Sequence, residues 1–234
     1  MTPHETPRIV LSARHGDDEV MRWELAHGED PIATIGASGW CSTGVTQVTG
    51  TSSPHAIAVE LGVVPGESTI PAPPPVFREP GIPADALLHR HQRIGVYAVV
   101  SSERGILLTQ LSRRSGAPGQ WTLPGGGLDP GEITEDALRR EVWEESGQLL
   151  DEFTPLDLLS RHWIGTAPSG DVEDYHVLGI LYRGVCGTPS TPIVHDVGGT
   201  TAAARWVPRE QVGRLPLVPL CRWGLTAAGV FAGS

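Results

Sequence analysis

Between Gly126 and Gln148 the chain reads GGLDPGEITEDALRREVWEESGQ, a glycine-rich loop that runs into a stretch crowded with carboxylates. Five residues separate Gly126 from Glu132, seven more lead to Arg140-Glu141, and Glu144-Glu145 follow after Val142-Trp143. On a helix each residue advances about 100°, which gathers Glu141, Glu144 and Glu145 within an arc of roughly 100°. Three carboxylates so close repel one another, and a bound cation relieves the repulsion. Oxygen-only ligands suit hard ions such as Mg²⁺ or Mn²⁺, held by a few carboxylates with waters and substrate phosphates. The bland alternative is a solvated acidic helix face. It is weakened by the glycine loop ahead of the helix and by scarce compensating charge, since Asp129 to Glu152 holds nine acids and two bases, Arg139 and Arg140.

These groups need a loop and a helix to position them. Trp121-Thr122-Leu123 reads as the end of a strand stopped by Pro124, and Asp129-Pro130-Gly131 is turn chemistry. Thr134 is the expected N-cap, and Glu135 and Asp136 suit the first turn of a helix. Leu138, Val142 and Leu149 form the apolar stripe that would pack the helix on a sheet, and Gly147 is placed to end it.

The arrangement resembles the signature box of the Nudix hydrolases, in which a glycine, a glutamate, an Arg-Glu pair and a Glu-Glu pair recur at these spacings. Every charged and glycine position is matched; only Gln148 departs, where the family usually has an apolar residue. The resemblance implies an α/β fold, an α/β/α sandwich around a mixed sheet, here preceded by a small β-rich N-terminal region. It implies hydrolysis of a diphosphate linkage in a nucleoside diphosphate bonded to another group, with Mg²⁺ or Mn²⁺ as cofactor. Carried over by position, Glu141, Glu144 and Glu145 are metal ligands, and the carbonyl of Gly125 or Gly126 is a further metal contact. Arg140 organises the loop through an ion pair with Glu132. The general base is one of these glutamates or an acid outside the box. A second reading is a Nudix-fold nucleotide sensor without turnover, which retention of the three glutamates disfavours.

Outside the box, Arg113 and Arg114 follow the second strand of this region and are candidate phosphate contacts. Asp171, Glu173 and Asp174 lie where relatives often supply a later acid; a solvated turn is the equal alternative. His162 and His176 read as hydrogen-bonded strand histidines, and Trp121 and Trp206 as core. Subgroup marks are missing: neither Trp163 nor Ile164 is the proline associated with ADP-ribose hydrolases, and Ile164 to Thr166 lacks the tyrosine of dinucleoside polyphosphate hydrolases.

Composition narrows the rest. A net charge of −10 without a basic run argues against duplex nucleic acid as a partner. All 17 basic residues are arginine, and lysine and asparagine are absent, which excludes Schiff-base chemistry and N-linked glycosylation sites. Cys41, Cys186 and Cys221 are too scattered for a metal site and read as buried structural thiols. No signal-peptide or membrane-span pattern is present, so a cytoplasmic protein is expected.

Along the chain, residues 1–64 look β-rich, with strands expected at 9–11, 20–25 and 57–64. Residues 65–88 are proline-rich and read as a linker, and 89–234 as one Nudix-like domain. The N-terminal part carries no motif; an accessory domain, a homodimerisation element and extra sheet strands are all open. In the main domain, strands are expected at 96–101, 106–111, 158–164, 174–185 and 203–207, with a last helix within 218–230.

Overall fold

The computed structural model describes residues 7–66, 76–167 and 170–231. Period-two alternation of apolar residues builds its first sheet. In β1 (Arg8–His15) Ile9, Leu11 and Ala13 are buried, and the turn at Gly16-Asp17 returns the chain as β2 (Asp18–Glu24), paired antiparallel. Then come α1 (Pro31–Ala37), β3 (Trp40–Ser52) and β4 (His55–Pro65). Ile57, Val59, Leu61 and Val63 of β4 are buried, and the order β2-β1-β4-β3 sets β1 parallel to β4. The sequence pattern did not disclose α1 or β3. Helix α1 starts at Pro31 because the Asp30 carboxylate accepts the Ile32 and Ala33 N–H groups at 2.9 and 3.2 Å.

The second sheet uses β5 (Phe77–Arg78), β6 (His89–Ser102), β7 (Gly105–Leu111), β8 (Trp121–Thr122) and β9 (Gly125–Gly127), followed by α2 (Thr134–Ser146). It continues with β10 (Glu152–Thr166), β11 (Val172–Val185) and β12 (Thr201–Val207), ahead of α3 (Arg209–Val212) and α4 (Pro219–Ala227). Its order is β12-β7-β6-β11-β10-β5, with β8 on β7 and β9 on β6. The β12–β7 pair is antiparallel and the β10–β5 pair parallel, so the sheet is mixed. The expected strands are all present, several longer than the sequence pattern suggests. Residues 67–75 of the proline-rich stretch lie outside the described residues; Phe77 and Arg78, beyond them, pair with Trp163 and Ile164.

Two compact units divide the chain: Met1–Gly95 with Leu128–Ile133 and Leu158–Gly179, and Val96–Gly127 with Thr134–Asp157 and Ile180–Ser234. The second has a core of Val99, Ile106, Leu108, Leu123, Leu181 and Leu225, with the expected core residue Trp121 in it. Leu123 is fully buried there, where a Leu→Ala change typically costs about 2–5 kcal/mol. Cys221 belongs to the same core, and burial pushes its thiol up to about 12, as for an inert structural cysteine; Cys186 is buried as well, but Cys41, on the edge strand β3, is only partly so. Among the described residues, no helix is long and apolar enough to cross a membrane.

Candidate active site

Helix α2 carries two faces. Ala137, Leu138 and Val142 are fully buried, while Glu141 and Glu144 remain partly exposed. Leu149 does not extend the apolar stripe: the helix ends at Ser146, helical spacing lapses, and Leu149 is 69% exposed while Leu150 is buried. The last carbonyls of a helix have no partners within it. Here a later segment supplies them, since His195 and Asp196 donate N–H groups to Glu144 O at 2.7 and 3.1 Å, and Ile193 donates to Ser146 O at 2.9 Å. Trp143 stacks on His195 with ring centroids 4.3 Å apart.

The glycine loop meets the carboxylate face directly. Gly125 has φ +143°, and a Cβ there would run into Val96 O and lie 2.8 Å from Tyr97 Cα, so only glycine fits. Its N–H donates to Glu145 Oε2 at 3.0 Å. At Gly126 a Cβ would sit 2.6 Å from Cδ and 2.7 Å from Oε2 of Glu141, so the missing side chain is the space that carboxylate occupies. Arg140 ties helix and loop together. Its Nη2 donates to Gly127 O at 3.0 Å, and its Nη1 lies 2.9 Å from Glu141 Oε1 and 3.2 Å from Glu144 Oε2. Glu132 Oε2 accepts the Asp129 N–H at 2.8 Å, closing the turn over Pro130 and Gly131.

Glu145 is the unusual member. It is buried, and its carboxylate accepts hydrogen bonds from Gly125 N and the Thr201 hydroxyl. Burial raises its pKa to about 7; the two hydrogen bonds pull it down, and the negative charges of Glu141 and Asp196 push it up. A carboxyl titrating near neutrality suits proton transfer or exchange of a proton for a metal ion. The donor set therefore fits a hard divalent cation: three carboxylates beside a loop without side chains, the innermost one flanked by like charge. Beside Thr201 opens a cleft of about 450 Å³ lined by Arg113, Arg114, Asp196 and Gly198.

A family model, NUDIX domain, matches residues 90–225. The chain belongs to the Nudix family. A nucleoside triphosphatase NudI from Enterobacter sp. (strain 638) is 30% identical over 142 residues, covering 59% of this chain and 98% of that protein. The NudI of Escherichia coli O9:H4 (strain HS) is 36% identical over 94 residues, 39% of this chain and 67% of the relative. A solved MutT NUDIX hydrolase from Burkholderia pseudomallei is 27% identical with a TM-score of 0.46, covering 58% of this chain and 98% of that one. The chain is thus a Nudix-type pyrophosphohydrolase acting on nucleotide pyrophosphate linkages, within a family whose hydrolases generally need divalent metal ions.

Several residues of this Nudix domain were not evident from its box. Thr201 and Asp196 lie more than fifty residues beyond Glu145, and no local spacing marks them. Arg113 and Arg114 both line the cleft, but Arg114 Nη1 donates to Gly198 O, which fits a residue that holds the cleft wall. Asp174 is engaged by His162 and His27, with Oδ1 at 2.5 and 3.2 Å from their Nε2 atoms. Trp206 is half-buried and donates from Nε1 to Ser190 O at 3.1 Å.

Proposed function

We propose that this Nudix enzyme cleaves nucleoside diphosphates linked to another moiety, using a divalent cation, Mg²⁺ or Mn²⁺, held by Glu141, Glu144, Glu145 and the Gly125 carbonyl. Nucleoside triphosphates, which the NudI relatives are named for, are the case in which that moiety is phosphate. The observation that carries the reading is the buried Glu145, fixed by Gly125 and Thr201 on a helix whose neighbouring carboxylates face a side-chain-free loop. When bound, the cation neutralises phosphate charge and lowers the pKa of a coordinated water. Water adds to phosphorus, the anhydride P–O bond breaks, and the proton passes to a carboxylate of the cluster. Arg140 holds the helix against Gly127, and Arg113 offers the diphosphate a cation at the cleft.

The test is product release from a panel of nucleoside triphosphates and nucleoside diphosphate conjugates, with Mg²⁺ or Mn²⁺ and with chelator. Metal-dependent release of phosphate, pyrophosphate or nucleoside monophosphate from a subset is expected. Metal-dependent binding without turnover across the panel would make the domain a nucleotide sensor instead.

Two finer expectations follow from Glu145. Metal loading must displace its proton, so Mg²⁺ affinity measured by calorimetry rises by up to about tenfold per pH unit below pH 7 and levels off above. An affinity flat between pH 5.5 and 7.5 would refute this. Thr201→Val removes a hydrogen bond that favours the ionised form, so the acidic limb of the pH profile of kcat/KM shifts upward. A limb that stays put or moves down would show that Thr201 does not act through Glu145.

A further inference from the structure

Away from α2, a second group of ligating side chains converges within the unit that holds residues 158–179. Neighbouring strands β10 and β11 each present an alternate pair, Ser160 and His162 on one and Asp174 and His176 on the other. The turn after β2 brings His27 to the same place. His27 Nε2 and His162 Nε2 lie 3.2 and 2.5 Å from Asp174 Oδ1, and the three ligand atoms are all within 4.8 Å of one another.

Hydrogen bonding alone does not account for the cluster. His162 can donate to Asp174 Oδ1 at 2.5 Å, while His27 Nε2, fully buried, lies 3.2 Å from the same oxygen without forming a well-aligned hydrogen bond. A buried ring nitrogen held beside a carboxylate without good hydrogen-bond geometry forgoes part of its stabilisation, and native structures rarely do so without a reason. The surroundings hold the group in place. His176 Nδ1 accepts the Gly28 N–H at 3.1 Å, so its Nε2 carries the proton and donates to Ser160 Oγ at 2.9 Å; Ser160 in turn donates to Glu29 O at 3.1 Å. With both nitrogens committed, His176 acts as a brace. Gly28 has φ +79°, and a Cβ there would lie 2.6 Å from His162 Cε1, so the turn closes on the imidazole only as glycine.

We propose that His27, His162 and Asp174 form a site for a borderline divalent cation of the Zn²⁺ class, chemically distinct from the oxygen-only cluster of α2. Two imidazoles and one carboxylate select Zn²⁺, Co²⁺ or Ni²⁺ over Mg²⁺, and a shared cation would give His27 Nε2 the directed contact that its 3.2 Å approach to Asp174 does not. Three protein ligands leave one coordination position to water or an exogenous ligand. The cation would tie the turn after β2 to the neighbouring strands β10 and β11, more than a hundred residues further along the chain.

The experiment uses the untagged full chain, dialysed against Zn²⁺ in excess Mg²⁺ that occupies the carboxylate cluster. Wild type and Glu141→Gln/Glu145→Gln are expected to retain about one equivalent of Zn²⁺, and His162→Gln to lose it while its near-ultraviolet circular dichroism is kept. Equal Zn²⁺ retention in wild type and folded His162→Gln overturns the proposal, as does no retention in wild type. Should His162→Gln not fold, the wild-type protein answers by NMR: Zn²⁺ must shift the Nε2 resonances of His27 and His162 but not those of His55. Unmoved His27 and His162 nitrogens refute the site.

Discussion

Glu145→Gln is expected to cripple turnover and, in the same molecule, to stabilise the metal-free protein at pH 8. The amide keeps the shape of the carboxyl: its oxygen can accept the Gly125 N–H, and its NH₂ group can donate to the Thr201 hydroxyl. What disappears is the charge. The folded-state pKa of Glu145 is raised from 4.5 to about 7, so between those values the folded state binds more protons than the unfolded one. Stability therefore falls as pH rises through this window; the cost is absent below the unfolded pKa and complete above the folded one, at about 3 kcal/mol. The variant escapes it. Its Tm should exceed that of the metal-free wild type by roughly 5–10 °C at pH 8, and the two should converge near pH 4. Saturating Mg²⁺ should raise the wild-type Tm and narrow the gap. Turnover should drop by about two to three orders of magnitude, because a proposed metal ligand has been neutralised. Retained kcat/KM would remove Glu145 from the machinery, and equal Tm at pH 8 would show that no buried charge is being tolerated for function.

The same residue shows where sequence reading reaches its limit. The spacing of Glu141, Glu144 and Glu145 is a local property of one helix, so their shared face and the preceding glycine loop could be derived from residue order alone. The special environment of Glu145 could not, because Thr201 and Asp196 reach it from a segment brought back to the helix only by the chain's return to β12. The loop ahead of β12 also completes the C-terminus of α2 through backbone groups, which leave no trace in side-chain type. In the N-terminal sheet, β1 and β4 carry short apolar runs and β2 alternates Met21 and Trp23 against Arg22 and Glu24, so all three were legible. Strand β3 was not, because its stretch of Thr, Ser and Gly buries only Val45 and Val48, as an edge strand can. His162 read as a hydrogen-bonded strand histidine, and its contact with Asp174 fits that; its meeting with His27 depends on a pairing of distant segments that no motif announces.

Adjacent glycines in the loop should fail in different ways. Gly125→Ala asks a residue with a Cβ to adopt φ +143° and places that carbon on Val96 O and within 2.8 Å of Tyr97 Cα, all backbone that cannot yield. The strain of the dihedral alone is about 1–3 kcal/mol, and displacing β9 from β6 adds to it, so a loss of about 4 kcal/mol or more is expected. That variant should melt far below wild type or fail to accumulate. Gly126 is outside the positive-φ region, and the atoms a Cβ would meet are the carboxylate of Glu141, the far end of a flexible side chain. Gly126→Ala should therefore fold with a Tm within a few degrees of wild type, while Glu141 is driven from the place where it faces the loop. Its kcat/KM should fall by about a hundredfold, with weaker Mg²⁺ binding measured by calorimetry. Thermal melts and kinetics of the two variants separate the roles. A folded, fully active Gly126→Ala would mean that the position of Glu141 against the loop is incidental, and a normally stable Gly125→Ala would mean that β9 does not need its tight approach to β6.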